Sequence, residues 1–151
     1  MLKDKYIILE IIPTSSNKET GFIAQIEALK VENNKIIDRL DLRVKEEFIL
    51  NKDLLEMISY DKENFIYVNK DEMMKRLIDF AGDNLLLIID NSYTRSYLED
   101  INNKKESIFK YLNLEYSDSV FDKLIDKYKL VPSNYLVDLL YEALVYENSG
   151  N

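Results

Sequence analysis

The chain contains no histidine and no cysteine in 151 residues, no tryptophan, three glycines and two prolines. Without imidazole, no histidine can act as general base, nucleophile partner or zinc ligand. Without thiols, disulfides and cysteine chemistry are excluded as well. Any reaction must run on carboxylates, hydroxyls, lysine, arginine or tyrosine, with hard oxygen-bound metals as the fitting cofactors. Arginine is also scarce, limited to Arg39, Arg43, Arg76 and Arg95, which argues against bidentate phosphate recognition. The longest apolar run, residues 85–89, falls far short of the ~20 residues of a membrane span. The opening Met1-Leu2-Lys3-Asp4-Lys5 leads into an apolar stretch broken by Glu10, unlike a signal peptide. No membrane partner and a cytoplasmic location are therefore expected.

What is present fits a globular protein: 46% apolar and 32% charged residues. A chain of this length buries roughly 68–70% of its unfolded surface and needs no covalent staple. One domain over residues 1–147 with a frayed tail at 148–151 is expected. Acidic residues outnumber basic ones 28 to 20, for a net charge of −8. That field repels phosphate backbones and disfavours nucleic acid as a partner, although a local basic strip remains compatible with it.

Residues 6–12, Y-I-I-L-E-I-I, are apolar on both faces, as in a fully covered strand. A second strand follows over 22–31, with Phe22, Ala24, Ile26 and Ala28 on one face and Gln25 and Glu27 on the other. Asn33-Asn34 suits a tight hairpin. The third strand, 36–44, places Leu40, Leu42 and Val44 opposite Arg39, Asp41 and Arg43. A short helix is expected at 51–59. Asn69 and Glu72 form a capping-box pattern before a helix with apolar residues Met73, Met74, Leu77, Ile78 and Ala81, closed by Gly82. Residues 85–89 read as a buried strand, 92–100 and 104–112 as helices, and 112–116 as a short fifth strand. Helices at 119–128, capped by Ser119, and from Pro132 to about 147 complete the chain. The expected fold is α/β: a three-strand antiparallel meander plus one or two parallel strands, flanked by helices.

In order and spacing the chain resembles the DEDDh 3′–5′ exonucleases, a family with the ribonuclease-H-like fold. The resemblance rests on Y6-I-I-L-E-I-I-P-T14, on I23-A-Q-I-E-A-L-K-V-E-N-N-K-I-I37, on L85-L-L-I-I-D-N-S-Y-T-R-S-Y-L98 and on V131-P-S-N-Y-L-V-D-L-L140. It implies a site where four carboxylates clamp two divalent cations and a histidine deprotonates the attacking water. The matching positions here are Glu10 for the first Asp, Ile12 for its paired Glu, Thr94 for the second-motif Asp, Ser133 for the His and Asp138 for the last Asp. Only Asp138 retains the family residue. The resemblance thus implies a degenerate site, no catalytic residue, no resident cofactor and a noncatalytic binding or scaffold role with a protein partner.

The alternative is a divergent exonuclease using Mg²⁺ or Mn²⁺ held by Glu10, Asp90 and Asp138. Each position also has a plain structural reading. Glu10 would pair with a lysine or accept a tyrosine hydroxyl. Asp138 would be solvated on an amphipathic helix. Ser133 would cap a helix, Thr94 would pack at a helix start, and Asp90 would end a strand.

Overall fold

The structure, a computed structural model, describes residues 2, 4–45, 65–91, 93–131 and 136–149. It is α/β, with a six-strand mixed sheet covered by helices on both faces. The strands are β1 (Lys5–Pro13), β2 (Ile23–Glu32), β3 (Lys35–Val44), β4 (Ile66–Val68), β5 (Leu85–Ile88) and β6 (Lys105–Ser107). Their order across the sheet is β4-β3-β2-β1-β5-β6. β1, β2 and β3 pair antiparallel, whereas β4, β5 and β6 join by parallel pairing with β3, β1 and β5.

The meander forms as its pattern predicts. Asn33 and Asn34 hold φ of 51° and 65° and close the β2–β3 hairpin, the left-handed conformation that asparagine tolerates best after glycine. The hairpin is tied down at both sides: Asn33 N–H donates to the Asp4 carbonyl at 2.9 Å and the Tyr141 hydroxyl to the Asn34 carbonyl at 2.6 Å.

The helices are α1 (Met73–Ala81), α2 (Thr94–Tyr97), α3 (Phe109–Leu112), α4 (Val120–Tyr128) and α5 (Leu136–Asn148). α1 buries Met73, Leu77 and Ala81, spaced i, i+4, i+8, and α2 buries Thr94 and Tyr97. With Leu98 and Ile101 they pack on Ile7, Leu9, Ile26, Ala28, Leu86 and Ile88. Helices α3, α4 and α5 cover the opposite face, against Tyr6, Ile8, Leu29, Val31, Leu85 and Leu87. Two hydrophobic layers therefore sandwich β1 and β5, which explains why neither strand alternates in sequence. Among the described residues no helix is long and apolar enough to cross a membrane.

Several expectations need correction. The sheet gains three parallel-paired strands rather than one or two. No strand occupies 112–116, where Asn113 turns left-handed at φ 54° to end α3. The strand lies earlier, at Lys105–Ser107, and shortens the helix expected at 104–112 to its last turn. Lys105 is kept in the strand by its ammonium, which donates to the Ile101 and Asn103 carbonyls. The helix expected over 92–100 is the single turn α2. Asn69 caps through its carbonyl, with Glu72 N–H at 2.9 Å, and a 3-10 turn over Lys70–Glu72 precedes α1. Ile78 turns out to be exposed, so α1's apolar stripe is narrower than expected. Ser119 makes no side-chain cap bond. Asn148, assigned to the tail, is the last residue of α5. The helix expected at 51–59 lies outside the described residues, as do Pro132 and Ser133.

Candidate functional site

Strand register gathers the polar residues of the meander on one face. Glu10 lies opposite Glu27, and Glu27 opposite Asp41. One step along, Ile12 lies opposite Gln25, and Gln25 opposite Arg43. Directly opposed side chains in an antiparallel pair sit about 4.5–5.5 Å apart at Cβ. Three acids thus form a row across β1, β2 and β3. They share the face covered by α3, α4 and α5, because the alternate residues Leu9, Ile26, Ala28, Leu40 and Leu42 belong to the layer under α1. On β2 and β3 these polar groups are dry, with Gln25, Glu27, Asp41 and Arg43 exposed by 5% or less, whereas Glu10 on β1 is half-buried.

Like charges side by side in a dry layer demand counterions. β3 supplies them at alternate positions, with Arg39 and Arg43 flanking Asp41. Arg39 Nε donates to Asp41 Oδ2 at 2.8 Å, while Nη1 and Nη2 donate to the two oxygens of Asp138 at 2.9 Å each. This fork-to-fork pair fixes α5 to β3, 99 residues apart in sequence. The hydrogen bonds to Asp138, with the one to Asp41, raise the guanidinium pKa further above its usual range against an opposing burial effect. Glu10, Gln25, Glu27 and Arg43 are engaged by partners too.

Against the carboxyl-terminal half of β1 lies a cavity of about 560 Å³. Glu10, Ile12, Gln25 and Glu27 line it from the sheet, Asn91, Tyr93 and Thr94 from the segment after β5, Tyr116, Ser117 and Asp118 from the approach to α4, and Phe121 from α4 itself. Asn91 organises one wall. Its Oδ1 accepts from the Thr94 N–H at 2.9 Å and from the Thr94 hydroxyl. Burial raises the Tyr93 pKa, with smaller contributions from Tyr116 and Glu10, and all three residues line the cavity. Ile12 also packs against the cluster of Ala24 and Val44 and gives the wall an apolar stretch.

Of the positions singled out in sequence, Glu10, Ile12 and Thr94 meet at this cavity and Asp138 does not line it. Asp138, read from its helix pattern as solvated, is only partly exposed and is bound to Arg39. Asp90 is likewise committed, accepting from Arg95 Nε at 2.8 Å and Nη2 at 3.0 Å. Glu10 is half-buried and adds to the raised pKa of Tyr93. Thr94 is buried and bound to Asn91, as a helix-start residue.

These residues do not fit a divalent cation of the kind the family resemblance implies. One acid position is an isoleucine, one is a threonine turned to Asn91, and the surviving Asp is filled by a guanidinium. Among the described residues no group of three or more Asp, Glu, His or Cys side chains is arranged to hold a metal. Sequence reasoning missed Arg39, Asp41 and Glu27. The available signal was the alternation Arg39-x-Asp41-x-Arg43 facing Gln25-x-Glu27: complementary polar edges on neighbouring strands, which a helix can cover.

No protein-family model matches the chain, and no curated protein matches it.

Proposed function

We propose that the chain is a ribonuclease-H-like domain of the DEDDh exonuclease type that no longer hydrolyses phosphodiesters and serves as a noncatalytic binding module. The antiparallel meander with parallel strands added beside β1 is the arrangement this reading requires. The observation that carries the reading is the Arg39–Asp138 pair. Both oxygens of the one retained acid accept from Arg39, which also holds Asp41. The protein's own cation takes the place that a divalent ion would need. A divergent metal-dependent exonuclease would have to draw Glu10, Asp90 and Asp138 to one ion, but Asp90 and Asp138 are each held by a different arginine.

The test is incubation of the purified protein with end-labelled single-stranded DNA and RNA in Mg²⁺ and in Mn²⁺. Both substrates are expected to remain intact. Degradation that disappears in Glu10→Gln or Asp138→Asn would overturn the reading. Salt dependence separates the partner classes: nucleic-acid affinity would fall steeply with added salt.

A further inference from the structure

We infer that Asp38 guards the outer edge of β3 against pairing with a second copy of this chain. Its carboxylate occupies a backbone N–H that an added strand would need.

β4 meets β3 only opposite Leu42, Arg43 and Val44. Among the described residues no strand pairs with the outer side of β3 from Lys35 to Arg39. Lys35, Ile36, Ile37 and Asp38 are exposed in a row, Ile36 by 40% and Ile37 by 53%. An uncovered edge with β-branched apolar residues is a template for a further strand, and a second copy of the chain carries the same edge.

Backbone direction shows which groups this edge presents. The Lys45 N–H reaches the Val68 carbonyl, beside β4, at 2.9 Å. Backbone groups alternate in direction along a strand, and the register of β3 with β2 is continuous from Arg39 to Arg43. Arg43, Asp41 and Arg39 therefore turn theirs to the same side as Lys45. Arg39 is the one of these farthest from β4, and its N–H is already taken: Asp38 Oδ1 accepts from it at 2.8 Å. This is the local bond by which an aspartate competes with a sheet ladder for the main chain.

Two further features act with the cap. Val31 lies opposite Ile36 and Lys30 opposite Asp38, so Ile37 is an extra residue with no register partner on β2. Such a bulge breaks the regular spacing of N–H and C=O groups and twists the edge away. Lys35 and Asp38 place charges on either side of the Ile36-Ile37 pair, which also discourages edge-to-edge association. Cap, bulge and charges all fall within the stretch that β4 leaves open.

The experiment measures self-association of the full chain by sedimentation equilibrium, from about 10 µM to about 1 mM. Wild type is expected to stay monomeric. Asp38→Ala frees the Arg39 N–H and should lower the dimer dissociation constant about tenfold or more, into the measured range. Asp38→Asn keeps an acceptor oxygen in the same place and should stay close to wild type. Amide hydrogen exchange locates the contact: in Asp38→Ala, residues 36–39 should exchange more slowly as concentration rises. Adding Ile37→Lys places a charge in the new contact and should restore the monomer. Both residues are exposed, so the variants are expected to fold. An Asp38→Ala chain as monomeric as wild type, or a wild type that dimerises with protection over 36–39, would overturn the inference. So would association of Asp38→Ala that survives Ile37→Lys or leaves exchange at 36–39 unchanged, and so would Asp38→Asn associating as strongly as Asp38→Ala.

Discussion

Replacing Arg39 with methionine removes one charge while keeping most of the side chain's length. The guanidinium makes three charge-assisted hydrogen bonds, two to Asp138 and one to Asp41. The two acids differ in setting: the Asp138 side chain is 27% exposed, the Asp41 side chain 4%. Asp138 can recover hydration, so its lost pair should cost about 1 kcal/mol, near the upper end for a solvent-accessible ion pair. Asp41 cannot. Among the described residues its Oδ1 already has no hydrogen-bond partner, and its register neighbour is the buried Glu27. Leaving a buried charge without its partner costs about 3–5 kcal/mol. Arg43 lies two residues along β3 and offsets part of this, so the total for Arg39→Met should be about 3–4 kcal/mol. Urea unfolding followed by far-UV circular dichroism measures it. In a cycle with Asp138→Asn, the coupling should be about 1 kcal/mol, with the larger remainder belonging to Asp41. A loss below about 0.5 kcal/mol for Arg39→Met would refute the claim that this pair neutralises the acidic row.

Three further perturbations probe the rest of the fold. Tyr6→Phe removes a buried hydroxyl that has no hydrogen-bond partner among the described residues and should stabilise the protein by about 1 kcal/mol. Burial pushes the Tyr6 pKa up to about 12, so the wild type is at its full relative stability below the unfolded value of about 10 and loses it as pH rises toward 12. The advantage of Phe should therefore grow over that window, at most about 1.4 kcal/mol per pH unit, in urea titrations at pH 8, 10 and 11. Tyr111→Phe removes the hydroxyl that is the main cause of the lowered Glu106 pKa, ahead of Lys110 and Lys104. A lowered carboxyl contributes stability above its unfolded value of about 4.3 and loses it as pH falls through the folded value. The variant should thus be less stable at pH 7 and converge on wild type in acid; a constant difference from pH 7 to 3 would contradict this. Gly21→Ala would set a Cβ 2.6 Å from the Tyr97 hydroxyl and 2.8 Å from Ser15 Cβ. It should cost about 1–3 kcal/mol and lower the melting temperature, because that hydroxyl is fixed on the Ser15 carbonyl at 2.6 Å. An unchanged melting temperature would count against that close approach.

The parts of the fold that depend on local chemistry were legible in the sequence. The meander follows from two-residue alternation and from a pair of asparagines able to turn left-handed. α1 follows from Met73, Leu77 and Ala81, and its end from Gly82, whose N–H reaches the Ile78 carbonyl at 3.2 Å. What escaped depends on distant partners. Residues 66–68 and 105–107 are only three residues each, too short for a period, and become strands because β3 and β5 offer open edges. Lys-Glu-Ser at 105–107 has no strand character of its own. At the candidate site, alternation correctly placed Gln25 and Glu27 on one face and Arg39, Asp41 and Arg43 on one face. It could not say that these were the same face of one sheet, or that α5 would cover it. Asp138 looked solvated because its neighbours on the helix said nothing about Arg39, which is 99 residues away.

A buried ion network is a poor device for stability, and this one can be tested on that ground. Replacing a buried pair or triad with apolar residues of similar volume is often neutral or stabilising by about 1–4 kcal/mol, whereas removing one member is costly. Arg39→Met combined with Asp41→Leu and Asp138→Leu removes the whole Arg39 triad at once. Leu29 and Ile8 share the next cross-strand row with Arg39, so the new side chains would extend an existing apolar layer. The triple variant should regain the loss of Arg39→Met to within about 1 kcal/mol of wild type. Urea unfolding reads this directly. A triple variant as unstable as Arg39→Met would show that the triad itself holds α5 to β3. Recovery would show that the fold does not need the charges for stability.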